Sequence, residues 1–123
     1  MKTNSIILTN QQAMSYVGEA ARGDGFYGFS DGLHTVSFHV KNFTGRIFIE
    51  ATLIEEPTDD DWFNINLMVD QVFLQWDNET ETLGVSFVGN FVHLRASVDR
   101  SYLVNQTYDP VLHGTVDKVV LMI

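Results

Sequence analysis

Four histidines, His34, His39, His93 and His113, and sixteen acidic residues are what a metal or acid–base site in this 123-residue sequence would have to use. Zinc-type sites draw ligands from closely spaced pairs such as HxH or HxxxH. None of the four histidines stands in such a pair, and His39 and His93 fall on the polar faces of predicted strands, as ordinary surface residues. Five carboxylates crowd residues 55–61, EEPTDDD, around Pro57. Calcium wants several oxygens on a flexible loop, but the EF-hand spacing and its closing glutamate are missing. The segment therefore reads as a solvated acidic turn that binds no tight calcium. Glu50 and Asp61 form the best carboxylate pair for glycoside chemistry, and sequence does not show the separation that chemistry requires. No serine has a G-x-S-x-G context. The glycine-rich stretch has neither the lysine nor the strand-to-helix setting of a phosphate cradle. Cysteine is absent, which removes thiolate sites and disulfides together. The expectation is a protein with no catalytic residue, no metal and no cofactor.

The elements that would position any of these groups are strands. Val36, Phe38 and Val40 alternate with Ser37, His39 and Lys41, and Ile47, Ile49, Ala51 and Leu53 alternate with Arg46, Phe48, Glu50 and Thr52. A period of two puts each apolar row on one sheet face. Asn42, Thr44 and Gly45 lie between the rows and tolerate the conformations of a tight turn, so the stretch predicts a β-hairpin with one buried face. A short strand precedes it at Ser5–Thr9, further strands follow at Leu67–Val69 and Val72–Trp76, and Leu83–Val98 holds two more strands or one bent at Gly89-Asn90, with Asp77–Thr80 as a polar connection. Gly114–Ile123 closes the chain as a strong strand, and no long amphipathic helix is present. Turn signals every eight to twelve residues predict an all-β, antiparallel β-sandwich or jelly-roll-like fold of about seven to nine strands. Residues 1–123 read as one such domain, with a glycine- and aromatic-rich loop at 22–32 and the acidic turn at 55–61.

Nine Phe, four Tyr and two Trp in a chain that is 45% hydrophobic make it globular. The net charge is −9, and its few bases are scattered singly, which argues against nucleic acid. No apolar run approaches the ~18 residues of a membrane span, and no charged-then-apolar leader opens the chain. Three N-x-T matches, at Asn42, Asn78 and Asn105, matter only in a secretory pathway. The letters RGD at 22–24 are too short a match to carry a meaning.

The ordered set DGLHTVSFHVKNFTGRIFIEATL, P-x-D-D-D-W-F, GNFVHLRASV and GTVDKVVLMI resembles small virion structural proteins of tailed bacteriophages, most of all the T4-like phages of marine cyanobacteria. The resemblance runs from about Gly23 to Ile123. It implies a component of the virion, made in the host cytoplasm, whose partners are other virion proteins and further copies of itself. It implies neither a position in the particle nor any catalytic residue.

Two surfaces stand out as candidate interaction sites. One is the face carrying Phe48, Phe91, His93 and Arg95, where rings occupy rows that a solvent-facing sheet would fill with threonine, lysine and glutamate; Arg95 can pair with Glu50 across the strands. The other is the loop set Phe26, Tyr27 and Phe29, either a cap on the core or an aromatic platform. Together with Trp76, those rings support the alternative of a carbohydrate-binding module on a phage particle. Trp62, after the acidic turn, reads as core filling or as a cover for one open end.

Overall fold

The computed structural model describes residues 4–27 and 32–123. It is antiparallel and all-β, with no helix longer than four residues among those described. In chain order the elements are β1 (Asn4–Leu8), β2 (Tyr16–Val17), β3 (Ala21–Arg22), α1 (Asp24–Tyr27) and β4 (Leu33–Thr52). A 3-10 turn (Asp59–Asp61), β5 (Phe63–Asn64), β6 (Phe73–Val88), β7 (His93–Asp99), α2 (Pro110–His113) and β8 (Thr115–Met122) complete them.

β4 is the axis of the molecule. Along one edge of its 20 residues, Leu33–Phe48 pair with β6, and Glu50 and Ala51 pair with β5. On the other edge β8 pairs with its first half and β7 with its second. The buried residues change parity midway: Val36, Phe38 and Val40 in the first half, then Phe43, Ile47, Ile49 and Ala51 in the second. Here the structure corrects the hairpin expected at Asn42–Gly45. The chain does not reverse; register shifts between Val40 and Phe43 and between Phe43 and Gly45 mark bulges that bend one continuous strand. Bulges add residues to one strand and sharpen its bend, so both halves of β4 turn their apolar rows into one core.

β6 bends at the same place, so Asp77–Thr80 lies inside a strand and not between two. The corner is cross-stitched. The Asn42 backbone N–H donates to Thr80 Oγ1 at 2.9 Å, and the Asn78 N–H donates to Thr44 Oγ1 at 2.9 Å. Asn42 (φ 48°) and Asn78 (φ 51°) both take the left-handed conformation that asparagine tolerates better than most residues.

The bend brings the sheet's two flanks together. Strand order along the sheet is β1-β8-β4-β7-β2. A Cβ added to Gly18, just after β2, would lie 2.0 Å from the carbonyl oxygen of Ile7 in β1. The first and last strands of the path thus meet backbone to backbone, and the single eight-stranded sheet is nearly a barrel. Ile7, Leu8, Val36, Phe38, Phe43, Ile47, Ile49, Leu94, Ala96, Val98, Val119, Leu121 and Ile123 fill it.

At the barrel corner Arg100 is fully buried. Its guanidinium donates to three backbone carbonyls: Thr44 at 2.7 Å, Ala13 at 3.0 Å and His113 at 3.4 Å. It also lies over the rings of Phe43 and Tyr108, at 4.8 and 5.3 Å. One side chain thereby ties the β4 bulge to the loop before β2 and to the end of α2.

Candidate docking surface

The second half of β4 has an outer face as well as a core face, and β7 continues it. Register places Glu50 directly opposite Arg95, and Phe48 opposite Ser97 and Phe73. Arg95 donates to both carboxylate oxygens of Glu50, at 3.3 and 3.5 Å. The same guanidinium lies over the Trp62 ring at 4.2 Å. Arg46 lies between the rings of Phe73 and Tyr102, at 4.5 and 4.3 Å, and Phe73 packs against Phe48 at 5.5 Å. At the far end Arg22 covers Phe26 at 4.2 Å, and Phe26 neighbours His93 at 6.1 Å. Three arginines thus lie over aromatic rings along one side of the sheet, where the ring quadrupole attracts a cation. The surface is both apolar and charged.

The short helix α1 adds apolar groups. Phe26 and Tyr27 are 39% and 43% exposed and meet edge to face, with ring planes 84° apart. Arg22, Phe26, Ile54, Glu55, Glu56 and His93 line a shallow depression beside them. Its rim is fixed where His93 Nε2 donates to the Glu55 carbonyl at 2.9 Å.

Several expected site residues are placed differently. Phe91 does not share a row with His93 and Arg95, because β7 begins only at His93. Before that point Phe91 packs against His34, Phe87 and Phe63, with ring centroids 5.5, 6.2 and 5.9 Å away, and joins the margin of the core. Trp62 lies outside the core, where the Arg95 cation makes its ring a good outer partner. Trp76 is 3% exposed and donates its indole N–H to Glu81 Oε1 at 2.8 Å, so no sugar can stack on it. Phe29 falls outside the described residues.

The polar groups that invited chemistry are dispersed. The His34 ring is buried; its Nε2 accepts from the Asp24 N–H at 3.1 Å, and its Nδ1 therefore donates to the Gly32 carbonyl at 2.9 Å. The Asp24 carboxylate is buried and accepts from the Gly32 N–H at 3.1 Å. An RGD-type ligand needs an exposed aspartate, and this one closes its own loop. His39 meets Ser37 at 2.9 Å. His113 Nδ1 accepts from the Asp109 N–H at 3.0 Å, and its Nε2 donates to Gln106 Oε1 at 2.8 Å. Asp61 Oδ2 accepts from the Thr58 N–H and hydroxyl, at 2.7 and 3.1 Å, inside the acidic turn. Among the described residues no three His, Asp or Glu side chains gather as a ligand set. Among the same residues no helix is long and apolar enough to cross a membrane.

The residue that sequence reasoning misses is Arg100, whose signal is weak: a lone base just after a strand in an acidic chain. The three N-x-T asparagines have a backbone use instead. Asn42, Asn78 and Asn105 (φ 62°) are all left-handed residues, two of them at the bulged corner.

No protein-family model matches the chain, and no curated protein is similar to it in sequence. Among solved structures, the chain is similar in fold to the SPBc2 prophage-derived protein YomS. The TM-score is 0.54 at 12% identity, over 99% of this chain and 89% of that one. The likeness is one of fold, extends over nearly the whole of both chains, and is to a protein of phage origin.

Proposed function

We propose that this chain is a non-enzymatic structural or assembly protein of a bacteriophage particle, acting through protein–protein contacts. The observation that carries the reading is the outer face of β4 and β7, where Arg22, Arg46 and Arg95 are pinned on rings beside Glu50 and exposed Phe26 and Tyr27. Aromatic residues and arginine are the residue types enriched in protein interfaces. Prefixed rotamers lower the ordering cost that association otherwise incurs. The fold shared with a prophage-derived protein supports a phage setting. The T4-like type of marine cyanophages rests on the sequence motifs alone. Under this reading the protein works in the virion, against other virion proteins and without nucleic acid or membrane.

The carbohydrate-binding alternative has less behind it. Trp76 is inside the core, and Phe26 and Tyr27 stand edge to face, which offers no flat platform for a sugar. Mass spectrometry of purified particles of the phage that encodes the chain tests the proposal. The chain should be present in a fixed ratio to other structural proteins, and its absence from the particle would overturn the reading. Arg95→Ala with Trp62→Ser should leave a folded protein that is not incorporated.

A further inference from the structure

β6 has a second edge. Its partner is β4 on one side, and along the other no described strand pairs with it. An unpaired edge exposes backbone N–H and C=O groups that template further pairing, and proteins usually blunt such edges with charge, proline or a covering element. Up to residue 81, β6 carries Asp77, Glu79 and Glu81. Residues 82–90, TLGVSFVGN, carry neither charge nor proline. Leu83, Val85 and Phe87 there are only partly buried against the core and leave a row half open at the edge.

Gly84 points the same way on separate grounds. It stands mid-strand opposite Ser37, and a Cβ built on it would meet nothing within 4 Å. Neither its φ nor intrachain packing calls for glycine. A glycine inside a strand weakens it and often marks a close approach by another backbone.

We infer that residues 83–88 of β6 pair antiparallel with the same residues of a second copy, extending the sheet across a two-fold axis. The strand is self-complementary in one register. With Val85 opposite its counterpart, Leu83 faces Phe87 of the other copy, so the half-open apolar rows join on one face. Gly84 then faces Ser86, and Glu81 faces Gly89, which keeps acid from facing acid in a chain of net charge −9. The pairing is an edge extension of the kind by which strands are recruited to sheets. It is small, so the dimer is concentration-dependent. This edge is separate from the outer face of β4 and β7 on which the assembly reading rests, and either can fail alone.

Sedimentation velocity over a wide concentration range tests it, with backbone hydrogen exchange read in β6. The expected result is a monomer–dimer equilibrium, with amides of residues 83–88 gaining protection as the dimer fills. Gly84→Lys with Ser86→Lys sets two lysines directly opposite each other twice per dimer, at positions open to solvent in the monomer. That protein should melt no lower than the unmodified monomer and stay monomeric, as should Gly84→Glu with Ser86→Glu. Mixing the two variants should restore a heterodimer. An unmodified protein that stays monomeric throughout, a dimer that survives in the lysine variant, or a mixture that does not associate would overturn the pairing. So would capture of a strand from a different virion chain by a protein that never self-associates.

Discussion

Arg100 joins three segments distant in sequence, because its three carbonyl partners are those of Thr44, Ala13 and His113. Burial draws its proton affinity below the usual arginine range, and Tyr16, Tyr102 and Tyr108 partly offset this. Hydrogen bonds to a charged group contribute more than neutral ones, and truncation would leave the Thr44 and Ala13 carbonyls without this donor. Arg100→Ala should therefore lower stability by about 3 kcal/mol, measured as a shifted urea midpoint with unchanged slope. A loss below about 1 kcal/mol would show that the carbonyls find other donors. The neighbouring Asp99 gives a pH signature. Burial pushes its carboxyl upward, but donors from the Ser101 hydroxyl and backbone and from Ser15, with the Arg46 charge, outweigh this and leave it below the usual range. A carboxyl depressed by folding contributes stability above its unfolded pKa, about 4, and that stability is lost as the pH falls through the lower folded value. Asp99→Asn should thus be less stable near neutrality and lose less on acidification below about pH 4. Parallel stability–pH curves for the two proteins would count against the Ser101 and Ser15 contacts.

The elements show which signals a sequence carries. The apolar rows of β4 and the closing strand β8 are legible because a period of two matches the pleat of a strand and not the turn of a helix. The bend is not. Asparagine and glycine supply positive φ to hairpin turns and to bulges alike, so Asn42 and Gly45 fit both. The usual strand length of five or six residues argues for a reversal. The discriminating residue is Phe43. A hairpin tip would be polar throughout, whereas an apolar residue between two apolar rows belongs to a strand that passes through. The outer face of β4 and β7 is half legible, since cross-strand pairing of Glu50 and Arg95 follows from register, but Trp62 against Arg95 joins a loop to a sheet and leaves no local pattern. Substitution at Asn42 tests the bulge. Asn42→Ala should cost about 1–2 kcal/mol, since alanine is strained at positive φ, and Asn42→Gly less. If both cost the same, the left-handed backbone is not what asparagine provides there, and its side-chain bond from Thr80 is.

At the scale of the whole molecule, closure of the sheet depends on Gly18. Pairing alone leaves β1 and β2 at opposite ends of the strand order, and only the bend in β4 brings them together. The contact is between backbones: the Gly18 N–H donates to the Ala96 carbonyl at 2.8 Å on one side, while its Cα faces the Ile7 carbonyl on the other. A methyl group there would press on Leu8 Cδ1, which can shift, and more closely on the Ile7 carbonyl, which is main chain and cannot. β1 must then move away, opening the seam above Ile7 and Leu8, which are core residues. Gly18→Ala should cost about 1–3 kcal/mol, the range for overpacking a close contact, and amide exchange should rise first in β1 and at Val17. Gly84→Ala is the matched control within the same sheet: open space surrounds that position, so alanine should be neutral or stabilising by about 0.5 kcal/mol. The contrast separates a steric seam from a general intolerance of side chains on glycine in strands. Equal losses at both positions would mean that the flanks of the sheet are not joined at Gly18 and that the barrel is open there.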